Sequence, residues 1–271
     1  MRPLLALALL AGLLVSSGCS TTPTSGTHGT VRLQITDAPG PYDAVNLVVT
    51  QVAIHRGVPD TLEHGMMSDS TSGWEILRAD SITVDLMTLR NGVFAMLAQG
   101  LVPAGHYTQI RLKLGEGSNV VVNGVAHPLK VPSGMQSGYK LVGQFDVPAN
   151  GMLDLALDFD AERSIHQTGN GRYMLKPTCR VMPFSTAGSI GGHLLPEGTA
   201  AHIYAIVGPD TLASTTPGDD GRFRLMALAA GTYAVAIHPA SGWRDTTLAG
   251  VAVTAQHMTD LGDITLTSIP D

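Results

Sequence analysis

The chain has 271 residues, of which 44% are hydrophobic and 14% are charged, and its formal net charge at pH 7 is −6. This balance excludes an intrinsically disordered chain, which needs high charge and few apolar residues. The negative net charge argues against a nucleic-acid-binding protein. The 31 glycines and 16 prolines favour an all-β protein with many short strands and turns. Two cysteines are too few for a disulfide scaffold or, on their own, a tetrahedral zinc site.

The first segment, residues 1–18, has the layout of a signal peptide. Arg2 precedes an apolar run from Leu4 to Val15, which is shorter than the ~20 helical residues that cross a bilayer. Small residues then lead to Cys19 and resemble a bacterial lipobox, although that motif prefers Leu where Ser16 stands. The resemblance implies cleavage before Cys19 and lipidation of its sulfur. The alternative is an ordinary secretory signal followed by an incidental cysteine.

Lipidation would make the membrane a partner of this protein through Cys19. Two or more lipid chains hold a protein stably on a bilayer, whereas one chain binds only marginally. The lipobox resemblance implies a bacterial cell-envelope protein, and Ser20 in place of Asp favours the outer membrane. Residues 19–29 are then the lipidated cysteine and a polar, flexible tether.

Residues 30–186 have the alternation expected of a large β-sandwich. Apolar Ile110, Leu112 and Leu114 alternate with polar Gln109, Arg111 and Lys113. Leucines and Phe159 alternate with aspartates over 153–160, and both segments are typical of half-buried antiparallel strands. The apolar parity changes within 45–54, which indicates either a bulge near Thr50–Gln51 or burial of both faces. A helical turn is expected only near Asp85–Arg90, so an α/β enzyme fold is disfavoured.

Several motifs in this region resemble the domain-of-unknown-function family 4382 of bacterial lipoproteins. They are Thr36–Pro39, Asp85–Leu86 with Asn91–Gly92, Pro103–Leu112, Pro132–Gly134, Leu157–Ala161 and Tyr173 with Lys176–Pro177. The resemblance covers about residues 30–183. It implies a β-sandwich, secretion and lipidation, and it implies no established activity.

Residues 187–271 form a second predicted β-sandwich. Within it, 188–266 resembles the carboxypeptidase-regulatory-like domain, a small transthyretin-like sandwich with a carbohydrate-binding-like fold. The resemblance rests on Asp220–Phe223 and on Leu228–Tyr233, and it implies a spacer or scaffold. The residues themselves predict a hairpin turn at Asp220–Gly221 and a core that contains Phe223, Leu225, Tyr233, Val235 and Ile237.

The sequence lacks the usual catalytic motifs. There is no Gly-x-Ser-x-Gly elbow, Ser-x-x-Lys, His-Glu-x-x-His or phosphate-binding glycine loop. Cys179 lies in an apolar stretch and is expected to be a buried structural cysteine. Asp219 and Asp220 do not begin an EF-hand, because Thr215 and Pro217 stand where carboxylates would be needed. These observations predict a protein that is not an enzyme.

The best candidate for a metal site is acidic. Asp158, Asp160 and Glu162 share one strand parity, and Asp37 could join them through the fold. Oxygen ligands in this number suit Ca²⁺, and paired carboxylates could also hydrolyse glycosides. The alternative is a solvated strand face on which Lys176 or Arg111 neutralises the acids, with Asp37 capping its own turn.

Three functions follow as hypotheses. The first is a non-enzymatic cell-envelope lipoprotein that acts as a structural or binding module, with a glycan or an envelope protein as an unidentified partner. The second is a carbohydrate-binding surface protein, which would need exposed rings such as Trp74 or Trp243, although packing in a core or at an edge is the alternative for both. The third is a hydrolase that uses the acidic residues.

Overall fold

The computed structural model describes residues 27–38, 40–57, 73–132 and 137–270, without the side chains of Asp37 and Ala38. The predicted signal peptide and Cys19 lie outside these residues, as do most of the tether and Ser133 and Gly134 of the Pro132–Gly134 turn. The described chain is almost entirely β, as its composition and alternation predict. No helix in this part of the chain is long and apolar enough to cross a membrane.

Twenty strands, one four-residue helix and a short 3-10 turn make up the described chain. The strands of the first unit are β1 His28–Ala38, β2 Ala44–Arg56, β3 Trp74–Arg78, β4 Ile82–Asp85, β5 Ala95–Pro103, β6 Gly105–Leu114, β7 Asn119–Val122, β8 Val125–Lys130, β9 Tyr139–Val147, β10 Met152–Asp160, β11 Ile165–Gln167, β12 Tyr173–Leu175 and β13 Cys179–Pro183. The strands of the second unit are β14 Ala187–Leu195, β15 Ala201–Val207, β16 Asp210–Thr215, β17 Arg222–Ala229, β18 Gly231–Pro239, β19 Thr246–Val253 and β20 Met258–Thr265. Helix α1 is Ala161–Ser164, and the 3-10 turn is Leu86–Thr88.

The first unit, β1–β13, is a sandwich of two sheets. The smaller sheet has the order β13-β10-β1-β5, and the larger has the order β11-β12-β8-β7-β2-β6-β9, with β3 and β4 also paired to β2. Its core lies between the sheets, because alternate residues such as Leu33 and Leu157 on one sheet and Ile54 and Ile110 on the other are fully buried.

The predicted pairing of strand 153–160 is partly wrong. β10 pairs with β13 in antiparallel orientation but with β1 in parallel, so that Leu33 lies opposite Leu155 and Ile35 opposite Leu157. A parallel pair needs a long connection, and more than one hundred residues of chain separate these strands. Alternation along one strand cannot reveal the direction of its partner.

The bulge predicted in β2 is present. The register against β6 shifts between Val49 and Gln51, so Thr50 is the extra residue. The core-facing positions change from odd to even beyond it, and Ala53 on the opposite face is buried as well. Asp85 caps the 3-10 turn, since its side chain accepts a hydrogen bond from the Met87 amide. Helix α1 was not predicted from the sequence.

The second unit, β14–β20, has its own core between two smaller sheets. Their orders are β17-β14-β20 and β16-β15-β18-β19. All five predicted core residues are buried: Phe223, Leu225, Tyr233, Val235 and Ile237. The turn at Asp220–Gly221 is not a hairpin between paired strands, because β16 and β17 belong to different sheets. The two cores share no residue, and the division of the chain at 186/187 stays a prediction.

Candidate functional site

Asp158 on the acidic strand β10 does not lie on a solvated face. Asp158 lies opposite Arg180 on β13 and forms an ion pair with it, and only 12% of the Asp158 side chain is exposed. Burial raises the pKa of Asp158, and the Arg180 guanidinium offsets part of that shift. The prediction that Lys176 or Arg111 neutralises the acidic strand is therefore wrong for Asp158. Arg180 takes this role because it is the cross-strand neighbour of Asp158.

Asp160 begins helix α1 rather than continuing the acidic face. One of its carboxylate oxygens accepts a hydrogen bond from the Arg163 amide over 2.8 Å, which is an N-cap contact. Burial raises the pKa of Asp160, and this hydrogen bond lowers it in part. Glu162 lies within α1, so the prediction that it shares a strand face with Asp158 is wrong.

The predicted Ca²⁺ site is therefore assembled only in part. Asp158 and Asp160 have the structural partners just described. The Asp37 backbone pairs with Phe159 in β10, and its side chain lies outside the described residues. Within the described residues, no three His, Cys, Asp or Glu side chains are placed to hold a metal ion. A site that includes Asp37 stays a prediction.

The second unit covers the outer face of the smaller sheet of the first unit. Strands β1 and β10 contact β16 and β17, and Ala156, on the polar side of β10, is 1% exposed. Arg163 in α1 donates a hydrogen bond to the Thr211 carbonyl in β16. The period-2 pattern identified this side of β10 correctly as the more polar one, but Ala156 and Asp158 on it pack against protein rather than water, whereas Asp154 stays partly exposed.

Asn91 joins the two units directly. Its side-chain oxygen accepts hydrogen bonds from the Thr215 hydroxyl at 2.9 Å and from the Arg224 amide at 3.2 Å. Asn91 has a φ of 56°, a left-handed conformation that asparagine tolerates better than most residues. The Thr36 hydroxyl, 2.8 Å from the Leu89 carbonyl oxygen, holds the loop that carries Asn91 against β1.

Three further residues singled out in the sequence have structural roles. Trp243 packs against the second core and forms an isolated bridge with Ser268. Cys179 packs against the first core and is half-buried rather than buried. Asp220 accepts a hydrogen bond from the Arg222 amide within its own turn.

A second polar surface lies on the outer face of the larger sheet, and we call it the basic face. Cross-strand pairing sets its rows, since Ile76, Ala53, Arg111 and Lys140 lie side by side on β3, β2, β6 and β9. The row on one side contains Trp74, His55, Gln109 and Val142, and the row on the other side contains Gln51 and Lys113. The face therefore combines three long cationic side chains with an indole, an imidazole and two carboxamides.

Trp74 is the centre of the basic face. The guanidinium carbon of Arg111 lies 4.1 Å from the centroid of its ring, and the Lys140 ammonium lies 5.9 Å from it. The His55 ring meets the indole edge-on at 4.9 Å. Both cations are thus held by the electron-rich face of the ring. Trp74 is half-buried under these contacts, so it does not form the open aromatic platform expected for sugar binding.

Unsatisfied polar atoms concentrate on the basic face. Within the described residues, four buried side-chain polar atoms have no hydrogen-bond partner, and three of them are Gln51 Oε1, His55 Nδ1 and Arg111 Nε. No carboxylate among the described residues lies within 4.0 Å of the charged groups of Arg111, Lys113 or Lys140. Buried polar atoms without partners are uncommon in folded proteins, and their concentration here makes the basic face the strongest candidate for a binding surface.

Sequence reasoning found one part of this surface. The alternation in β6 already separates Arg111 and Lys113 from the core positions. Trp74 and Lys140 are 37 and 29 residues away from Arg111 in the sequence. They join it only through the registers of β3 and β9, which alternation does not determine.

Comparison with solved structures finds pilins and a cohesin–dockerin complex at low similarity. The shaft pilin of Lactobacillus rhamnosus GG is 10% identical with a TM-score of 0.26, over 90% of this chain and 100% of that chain. The minor pilin of Streptococcus agalactiae is 11% identical with a TM-score of 0.23, over 89% of this chain and 97% of that one. A type II cohesin–X-dockerin complex from Acetivibrio cellulolyticus is 21% identical with a TM-score of 0.26, and the match spans 30% of this chain and 57% of that one.

No curated protein gives a significant match to the chain. The resemblance of residues 188–266 to the carboxypeptidase-regulatory-like domain stays a prediction. The model of one protein family, described as Domain of unknown function (DUF4382), matches residues 28–177, close to the limits predicted from the sequence motifs. The match covers more than half of the chain, and the protein therefore belongs to the DUF4382 family.

Proposed function

We propose that this protein is a non-enzymatic lipoprotein of the bacterial cell envelope, anchored in the outer membrane through lipid on Cys19. In this proposal the two β-sandwich units form one structural or binding module. The observation that carries the binding role is the basic face, where Arg111, Lys113 and Lys140 have no carboxylate partner among the described residues. The anchor rests on the lipobox resemblance that ends at Cys19. A surface of this kind can bind a ligand without catalysing a reaction.

The acidic residues support the same proposal. Asp158 is paired with Arg180 beneath the second unit, and Asp160 caps α1. A hydrolase would need a carboxylic acid and a carboxylate that both reach the substrate. These two side chains are committed to holding the body together, which disfavours the hydrolase hypothesis.

The anchor is tested by Cys19→Ala in the full-length chain expressed in a Gram-negative host. We expect the variant to accumulate as unprocessed precursor or to leave the membrane fraction, because its stable anchor is lost. Cys179→Ala is the matched control, since it removes the other thiol and should leave fractionation unchanged. Membrane fractionation and the mass of the N-terminal peptide are the measurements. An unchanged mature mass and an unchanged membrane fraction for Cys19→Ala would rule out the lipid anchor.

Carbohydrate binding is a second candidate, favoured by a ring cluster in the second unit. The Tyr204 ring contacts His202 and His238 at centroid distances of 6.3 Å and 5.6 Å. Both histidines also line a groove of about 470 Å³. Residues 20–271, screened on a glycan array, should bind a sugar through this cluster and lose the signal in Tyr204→Ala. Binding that survives this substitution would exclude the cluster as the site.

A further inference from the structure

Exposed apolar side chains stand among the cations of the basic face. Val142 on β9 is 83% exposed, and Ile76 on β3 is 56% exposed. Ile76 lies in the same row of the sheet as Arg111 and Lys140, and Val142 lies in the next row, two residues after Lys140 on β9. A purely electrostatic site for a hydrated polyanion has no need of projecting apolar groups. Surfaces that lie on a bilayer combine apolar side chains, which enter the interface, with cations that meet the lipid phosphates.

The charge of the basic face is opposite to that of the whole chain. The formal net charge is −6, whereas Arg111, Lys113 and Lys140 lie together without a carboxylate near them among the described residues. An anionic membrane repels the rest of the molecule and attracts this face. The charge distribution therefore selects one orientation of the body on such a membrane.

The start of the described chain lies near the same sheet. The Ala104 amide donates a hydrogen bond to the Thr27 carbonyl at 2.8 Å, and the Arg56 guanidinium donates one to the Ala104 carbonyl at 3.3 Å. Arg56 follows His55 in β2, and so the described chain begins beside the strand that carries the middle of the basic face. Cys19 precedes Thr27 by eight residues, which span at most about 28 Å when extended. Such a tether is short enough to keep the body close to the bilayer.

We propose that the basic face docks on an anionic phospholipid surface and lays the larger sheet of the first unit against the membrane. This inference rests on the proposed lipid anchor for its tether geometry, whereas the docking itself needs only the folded body. Arg111, Lys113 and Lys140 meet the lipid phosphates. Ile76, Val142 and the indole of Trp74 lie at the level of the headgroups, where tryptophan is enriched.

The test uses residues 20–271, which keep every described residue and lack the lipid. Binding is measured by co-sedimentation with phosphatidylcholine vesicles that contain or lack phosphatidylglycerol. We expect binding only to the anionic vesicles, and weaker binding when NaCl is raised. In a Trp243→Phe background Trp74 is the sole tryptophan, and its emission should shift to shorter wavelength on binding.

Charge reversal identifies the surface that binds. The triple variant Arg111→Glu, Lys113→Glu, Lys140→Glu should bind anionic vesicles at least about 100-fold more weakly, since each cation near the surface contributes about fivefold. The matched control is Arg172→Glu, Arg222→Glu, Arg244→Glu, which makes the same charge change at exposed positions outside the basic face and should keep most of the binding. Lys140→Glu alone covers the case in which the triple variant does not fold, because the Lys140 side chain is exposed.

The double variant Ile76→Ser, Val142→Ser tests the apolar contribution separately. It should weaken vesicle binding and leave the salt dependence of binding unchanged.

The docking proposal is overturned if wild-type 20–271 does not bind anionic vesicles, or if the control triple variant loses as much binding as the basic-face triple variant. Binding to an acidic polysaccharide such as alginate, with none to vesicles, would also overturn it. Because this fragment lacks Cys19, these results are independent of the lipidation test.

Discussion

Tyr107 in the first unit and Tyr233 in the second occupy equivalent corners, although the units differ in size and strand order. Each tyrosine stands two residues after a glycine, at the point where the chain passes from one sheet of its unit to the other. The crossing runs from β5 to β6 at Tyr107 and from β17 to β18 at Tyr233. Each hydroxyl donates a 2.8 Å hydrogen bond to the carbonyl four residues earlier, at Pro103 or Ala229. The same side chain therefore fixes the crossing between sheets in both units.

The glycines at the two corners differ. Gly105 has a φ of +137°, a conformation that other residues rarely adopt. Gly231 has an ordinary φ, and an added Cβ would meet nothing closer than the Tyr233 ring at 3.8 Å. The comparison indicates that the tyrosine hydrogen bond is the shared requirement, whereas the glycine is required by backbone geometry only in the first unit.

The largest expected effect is the loss of either tyrosine ring. Tyr107→Ala and Tyr233→Ala should each lower the free energy of unfolding by about 3–5 kcal/mol, as for other large buried rings. Tyr107→Phe and Tyr233→Phe keep the ring and should cost about 1 kcal/mol each, the size of one hydrogen bond. Each unit holds one of the two tryptophans, so urea unfolding in Trp243→Phe or Trp74→Phe backgrounds reports on the units separately. If the Phe variants are as stable as wild type at both corners, the hydroxyl contact does not fix the crossing.

A smaller effect distinguishes the two glycines. Gly105→Ala should destabilise the first unit by about 1–3 kcal/mol, because alanine is strained at this φ. Gly231→Ala should be neutral or stabilise the second unit by up to about 1 kcal/mol, since it reduces the freedom of the unfolded chain. The same two fluorescence backgrounds measure both effects. Equal losses at the two positions would contradict the comparison.

The smallest effect concerns the contact between the units. Asn91→Gly keeps the left-handed backbone and removes the side-chain oxygen that Thr215 and Arg224 contact, at a cost of about 1 kcal/mol. The difference between the urea midpoints reported by the two tryptophans should then be larger than it is with Asn91 in place. Asn123→Gly is the matched control, because Asn123 also has a positive φ, 51°, and lies in the β7–β8 turn. An unchanged separation in Asn91→Gly would show that this contact does not couple the units.

The sequence predicts what local periodicity can encode. The bulge at Thr50 follows from a change of parity, and the cores containing Ile110 and Phe223 follow from alternation. Alternation also identifies the polar side of β10. It cannot show that Arg180 is the partner of Asp158 or that the second unit covers both, since these depend on pairing and packing between distant segments. The basic face required the registers of four strands, and only its β6 residues share a local signal.

The position of β1 has a consequence for the order of folding. This first strand of the described chain lies in the interior of its sheet, between β5 and β10. Its Val31–Leu33 segment cannot complete its pairing until Leu153–Leu155 is available, so the chain must close a loop of more than one hundred residues. Long-range pairing of this kind slows folding. During synthesis, β1 is therefore among the last of the described strands to reach its final environment, and a chaperone that binds segment 28–38 would protect the nascent chain for the longest time.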